Sequence, residues 1–234
     1  MVFYTDIYIY IVYPTQMYVC MYVVRLLVDA GADMDKPGNN GQTPLWISSH
    51  DGHPNIVQLL VDAGADKDKA RDTDGVTPLL IASQNGHLEV VRLLLEKGAD
   101  KDKADNVGRT PLFVATQKGH LEIMRHLVDA GADKDKAGLK GVTPLWMASQ
   151  NGQHEVVRLL VEAGADKDKA RDTDGVTPLW MASQNGHLEV VRLLVDAGAD
   201  KDIANNHRVT PLSIARRQHR DGIVEMLQRA GATG

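Results

Sequence analysis

The chain has 234 residues, 43% of them apolar and 24% charged, with a net charge of −5. The apolar share excludes a wholly disordered polymer, and so small a net charge supplies no broad field toward nucleic acid or an anionic membrane. A single cysteine, Cys20, excludes a disulfide framework and a Cys-x-x-Cys metal or redox site, and it suits a reducing, cytoplasmic setting.

The chain opens on a segment unlike the rest. All six tyrosines and the cysteine fall within the first 22 residues, and residues 7–24 carry no charge over 18 positions, about the lower limit for a spanning helix. Pro14 and Gln16 interrupt that stretch, and no basic start or small-residue cleavage site marks a signal peptide. The alternation from Ile7 to Tyr13 predicts an extended strand. Residues 1–20 are therefore expected to form an atypical leader, left by a truncated coding sequence, that partly covers the first repeated unit of the chain. From Val23 to Gly31, "VVRLLVDAG" reads as the second helix of that unit, which is incomplete and spans residues 21–40.

Five full units then occupy residues 41–207. The tripeptide Thr-Pro-Leu begins at Thr43, Thr77, Thr110, Thr143, Thr177 and Thr210, at spacings of 34, 33, 33, 34 and 33 residues. A fixed period of this size marks stacked units, each too small to bury its own apolar face. Within one unit, Thr77 before Pro78 predicts a helix start and Gly86 its end, with Ala82 and Ser83 keeping the packing face small. A second helix comes next, with Leu88, Val90, Val91, Leu93 and Leu94 on one face and Glu89, Arg92 and Glu96 on the other. Gly98 closes it, and the polar "ADKDKADNVGR" predicts a hairpin-like finger into the next unit.

The last copy, residues 208–234, departs from the others. Arg208 and His219 replace glycines, Asp221 replaces a leucine, and Arg216, Arg217, Arg220 and Arg229 are added. Polar replacement suits the outer face of a terminal capping unit; the competing reading of these arginines is an anion site.

Catalytic and metal chemistry find little footing. "DKDKARDTDG" at residues 66–75 and 166–175 resembles a calcium loop, but setting Gly75 at the invariant glycine leaves Ala70 and Ile81 at ligand positions. His53, His87, His120 and His187 recur once per unit with no second ligand nearby in sequence, and His120 and His126, six residues apart, point to different helix faces. Ser83, Ser149 and Ser183 lie in small-residue helices without a nucleophile turn, and no phosphate-binding glycine loop is present. No catalytic residue, metal or cofactor is expected.

The combination of Gly-x-Thr-Pro-Leu, a small-residue helix, Gly-His, a Val-Val-x-Leu-Leu helix and Gly-Ala-Asp, from Gly41, Gly75, Gly108, Gly141 and Gly175, resembles the ankyrin repeat family over residues 21–234. The resemblance implies an all-α solenoid of helix-turn-helix units with finger loops. Two departures stand out. Where the family usually has His after Thr-Pro-Leu, this chain has Trp46, Leu80, Phe113, Trp146, Trp180 and Ser213; these are expected to fill the groove between repeats, or else the tryptophans join a recognition surface. Where the family often has Val-Asn in the finger, this chain has Lys-Asp, from Lys67-Asp68 to Lys201-Asp202, which removes the asparagine that the family can hydroxylate.

The resemblance also implies a protein-binding concave strip of finger tips and first helices. Its positions here are Thr73, Asp74, Val76, Gln84 and Asn85; Asn106, Val107, Arg109, Gln117 and Lys118; Leu139, Lys140, Val142, Gln150 and Asn151; and Thr173, Asp174, Val176, Gln184 and Asn185. The expected function is a monomeric, non-enzymatic scaffold or adaptor for a protein partner, with neither nucleic acid nor membrane as its target. The alternative is a substrate-recruiting piece of a larger enzyme or membrane protein. Discrimination is expected in the two central fingers, because the outer ones nearly repeat each other.

Overall fold

The computed structural model describes residues 17–38 and 40–233. The strand expected over residues 7–13, and the leader as far as residue 16, lie outside the described residues. The chain divides into two compact units, Met1–Ala115 and Thr116–Gly234, and the described residues hold thirteen α-helices, one 3-10 turn at Leu139–Gly141 and no strand. None of these helices is long and apolar enough to cross a membrane.

In the first unit, α1 (Met17–Asp29) starts four residues ahead of the incomplete repeat expected at residue 21 and supplies its second helix. Two helix pairs come after it: α2 (Pro44–His50) with α3 (Pro54–Asp62), and α4 (Pro78–Asn85) with α5 (Leu88–Glu96). First helices pack on first helices, α2 on α4, and second on second, α1 on α3 and α3 on α5. The unit boundary falls inside α6 (Pro111–Lys118). The second unit continues with α7 (Leu121–Asp129), α8 (Pro144–Asn151), α9 (His154–Glu162), α10 (Pro178–Asn185), α11 (Leu188–Asp196), α12 (Pro211–Arg217) and α13 (Asp221–Arg229). The same two rows recur there, α8 on α10 on α12 and α7 on α9 on α11 on α13.

Each first helix starts for a local reason. The buried hydroxyl of Thr77 accepts the amide N–H of Leu80 at 3.2 Å, Pro78 fills the first helical position, and the same bond recurs at Thr43, Thr110, Thr143, Thr177 and Thr210. A threonine cap of this kind is worth about 1 kcal/mol, and six of them set the register of six helices. The second helices bury the inner part of the expected stripe: Val90, Val91 and Leu94 are buried in α5, while Leu88 and Leu93 are half-buried at its margins.

The residues after Thr-Pro-Leu fill the groove between repeats, as expected. Trp46, Trp146 and Trp180 are all buried, and each indole Nε1 donates to a carbonyl of the next finger, that of Val76, Val176 or Val209, at 2.8–2.9 Å. The alternative role for the tryptophans, as recognition surface, is overturned by that burial.

Consecutive repeats also meet at two glycines with positive φ. The ring of His187 lies where a Cβ on Gly152 would stand, 2.6 Å from Nδ1, and its Nε2 donates to the carbonyl of Gln150; His87 does the same over Gly52. At the fingers, Asn106 and Asn206 occupy the corresponding space over Gly75 and Gly175. In residues 208–234 Arg208 and His219 hold the left-handed conformation that glycine holds at the same positions of the earlier repeats.

Two substitutions should therefore act with opposite sign. Gly152→Ala drives a methyl into the His187 ring at φ +71° and should cost at least about 2 kcal/mol. His219→Gly relieves left-handed strain and should gain about 0.5–1 kcal/mol. Urea denaturation of each variant checks both.

Candidate interaction surface

The finger tips were expected to carry the binding chemistry, and much of that chemistry turns inward. In the finger of the first 34-residue repeat, the Arg71 guanidinium lies 4.4 Å over the Trp46 ring and makes a two-pronged pair with Asp74, whose carboxylate also accepts the N–H of Val76. The second such finger repeats the arrangement with Arg171, Trp146, Asp174 and Val176. The hydrogen bond from arginine holds the carboxyls of Asp74 and Asp174 below the ordinary carboxylate value. Val76 and Val176 are 3% and 2% exposed; these two leave the expected contact set, because each lies under its finger with its carbonyl bound to a tryptophan.

Two fingers of 33-residue repeats lie between them, and in the first of these the order is reversed. Asp105, its side chain 1% exposed, accepts from the backbone N–H groups of Val107 and Arg109 and from the Arg109 guanidinium at 2.7 Å. Arg109 is thereby tied into its own loop. Val107 points the other way, at 44% exposure, one of three exposed large apolar side chains among the described residues. Lys140 is exposed and takes φ 66°, a left-handed conformation that costs a non-glycine residue about 1–2 kcal/mol. Val142 is half-buried against the core of the second unit.

On the first helices, Asn85 and Asn185 act between repeats: each side-chain amide donates to the carbonyl that also binds the next histidine ring, that of His50 or Gln150. Gln117, Lys118 and Asn151 are exposed, and Gln84, Gln150 and Gln184 are half-buried. The outward set that remains is Thr73, Val107, Lys140, Gln117, Lys118, Asn151 and Thr173; Asn106 is exposed but packs over Gly75, and the Leu139 side chain lies outside the described residues.

Sequence reasoning stopped one repeat short at each end. His50 and Asp51 hold the same register positions as Gln84 and Asn85; His50 stacks on Trp46 at 5.3 Å and its Nδ1 contacts Asp51 at 2.7 Å. Arg217 and Gln218 hold those positions in the last repeat, both exposed. Counting from each Thr-Pro-Leu anchor would have found all four.

The Lys-Asp pairs turn out to be structural at their aspartates. Asp68, Asp135, Asp168 and Asp202 each accept a backbone N–H some thirty residues on, at 2.7–2.9 Å, and Asp35, which follows Met34 at the same register position, does likewise. Asp66 and Asp166 accept the N–H two residues on. In the two calcium-like stretches the carboxylates of Asp66, Asp68, Asp166 and Asp168 are thus spent on amides and those of Asp74 and Asp174 on arginine, and no group of three metal-binding side chains occurs among the described residues.

A family model for ankyrin repeats, in three copies, matches residues 17–105, 98–171 and 167–233. Among solved structures, the ankyrin repeat domain of Bcl-3, described as a unique member of the IkappaB protein family, is 31% identical with a TM-score of 0.85, over 96% of this chain and 98% of that one. An ankyrin repeat domain from Acinetobacter baumannii AYE is 29% identical with a TM-score of 0.78, over 81% of this chain and 98% of that one. Among curated proteins none matches this sequence.

The lowered carboxyls of Asp74 and Asp174 make the 34-residue fingers acid-sensitive. A group whose folded-state pKa lies below its unfolded value stabilises the fold above the unfolded value, and that contribution is lost as pH falls through the folded one. With an ordinary value of 3.8, the loss falls below about pH 4. Asp74→Asn with Asp174→Asn should lower stability at about pH 6 and flatten its further decline between about pH 4 and pH 2. Urea midpoints across that range check the slope.

Proposed function

The chain belongs to the ankyrin repeat family, whose repeats are in general protein–protein interaction modules, and from that premise we propose that it is a non-enzymatic, cytoplasmic scaffold or adaptor. It acts as a monomer without cofactor and binds a protein partner through finger tips and first helices, with neither nucleic acid nor membrane as its target. The observation that carries this reading is the division of labour in the fingers. Asp74, Asp174, Asn85, Asn185 and the aspartates of the Lys-Asp pairs serve the repeat-to-repeat structure, whereas Val107 and Lys140 point outward and neither side chain takes part in a hydrogen bond or ion pair among the described residues.

An exposed valine in one finger and a lysine in strained backbone in another are costly features with no internal use, and specificity is commonly concentrated in a few such side chains. The remaining outward residues, including Thr73, Gln117, Lys118, Asn151 and Thr173, add polar contact area. Arg109, tied to Asp105, shapes the finger that presents Val107 rather than leading the contact itself.

Capture of a partner on the tagged chain, identified by mass spectrometry, opens the test. Val107→Ser combined with Lys140→Gly should then weaken that partner roughly tenfold while leaving the thermal midpoint unchanged or slightly raised. Undiminished binding by the double variant would refute the assignment of these two fingers.

A further inference from the structure

The sign of the charge on the last repeat is a separate observation. Residues 203–234 hold five arginines against Asp221 and Glu225, a net +3, while the preceding residues sum to −8 in a chain that totals −5. Arg208, Arg216, Arg217 and Arg220 are all exposed, and among the described residues none of them pairs with a carboxylate; of the five, only Arg229 does, with Glu225.

Exposure asks for polarity, and polarity has no sign. At the position of Arg216 the earlier repeats bury Ser49, Ser83, Thr116, Ser149 and Ser183, and at that of Arg208 they have glycine. Any hydrophilic side chain would meet water equally well there. Local electrostatics explains only part of the choice: Arg216 and Arg217 lie in the last turn of α12, where a cation suits the helix dipole. Arg208 lies in a finger, in left-handed backbone. Arg220 is the N-cap of α13, where the dipole opposes a cation; its Nε is held on the carbonyl of Gln184 at 3.3 Å over Gly186, in the place that His187 takes over Gly152. Arg208 therefore lies where local forces do not favour a cation, and Arg220 stands against the helix dipole, held by the single carbonyl of Gln184.

We propose that the last repeat is a contact site for an acidic peptide segment, whose carboxylates pair with Arg208, Arg216, Arg217 and Arg220. This deepens the interaction reading and rests on it. Arg217 occupies the same register position as Gln84 and Gln184, so the basic patch continues the row of first-helix contact positions into the last repeat. Guanidinium groups suit carboxylates by their planar paired donors. A short acidic segment can be confined to the arginines of one repeat, whereas a long polyphosphate chain would run on past them, beside residues that sum to −8.

The probe is a short fluorescent peptide alternating glutamate and glycine, beside its glutamine analogue, inorganic phosphate and duplex DNA, at about 50 and 200 mM salt. The cap variant combines Arg208→Gly, Arg216→Gln and Arg217→Gln, sparing Arg220 because it holds Gln184. Its control removes the same charge from the second helices through Arg92→Gln, Arg125→Gln and Arg158→Gln; thermal unfolding shows that both remain folded. The glutamate peptide should bind the full chain in preference to all three comparators, and the cap variant should weaken it roughly tenfold with little change in the control. Equal loss in the control, no preference for the glutamate peptide, or tighter DNA binding would overturn the proposal. With a captured partner in hand, full binding by the cap variant alongside loss in the Val107 and Lys140 variant would sink the acidic-segment inference and leave the interaction reading standing.

Discussion

Everything in this fold depends on the space that one repeat leaves open for the next. A pair of short helices has no interior of its own, so its apolar wall is closed by a neighbour that must come very near. Left-handed glycine supplies the nearness: at Gly52 and Gly152 a side chain is absent where an imidazole must lie, and the imidazole then reaches the carbonyl that ends the preceding helix. His87 and His187 are thus seam residues that satisfy an otherwise open helix end. In the last seam Arg220 fills the same space over Gly186 with a different donor.

That constraint decides which side chains are available for anything else. Along each finger the second aspartate is committed to the next finger's backbone, and in the long fingers a further aspartate is committed to an arginine stacked on tryptophan. Groups that look hydrophilic and therefore functional in the sequence are largely the joints of the array. The side chains left over are few and differ from finger to finger, which is where partner discrimination can reside.

The period, both helix limits and the filling of the inter-repeat groove were legible because each is set by neighbours in sequence: threonine before proline opens a helix, and glycine closes it. The burial of Val76 and Val176 was not legible. Both sit at a polar finger tip by count, and only the tryptophan of the preceding repeat, some thirty positions away, draws their carbonyls inward. The bridging role of Asn85 and Asn185 was hidden for the same reason, since their acceptors belong to the repeat before. Resemblance located the row of contact positions; it could not say which of them the stack had already used.

The two finger lengths show how that use is tuned. In the 33-residue form the tip closes with Gly108 N–H on the carbonyl of Asp105, three residues back; in the 34-residue form Gly75 N–H reaches Arg71, four back. The extra residue makes room for an arginine that turns over the tryptophan below and holds the tip aspartate, so the longer finger is coupled to the core through a cation–π contact and an ion pair. The shorter finger at Asp105 closes on that buried aspartate instead and leaves its tip valine, Val107, unclaimed. One inserted residue thus moves a finger tip from display to support, and the near-identity of the two long fingers results, because both must satisfy the same tryptophan.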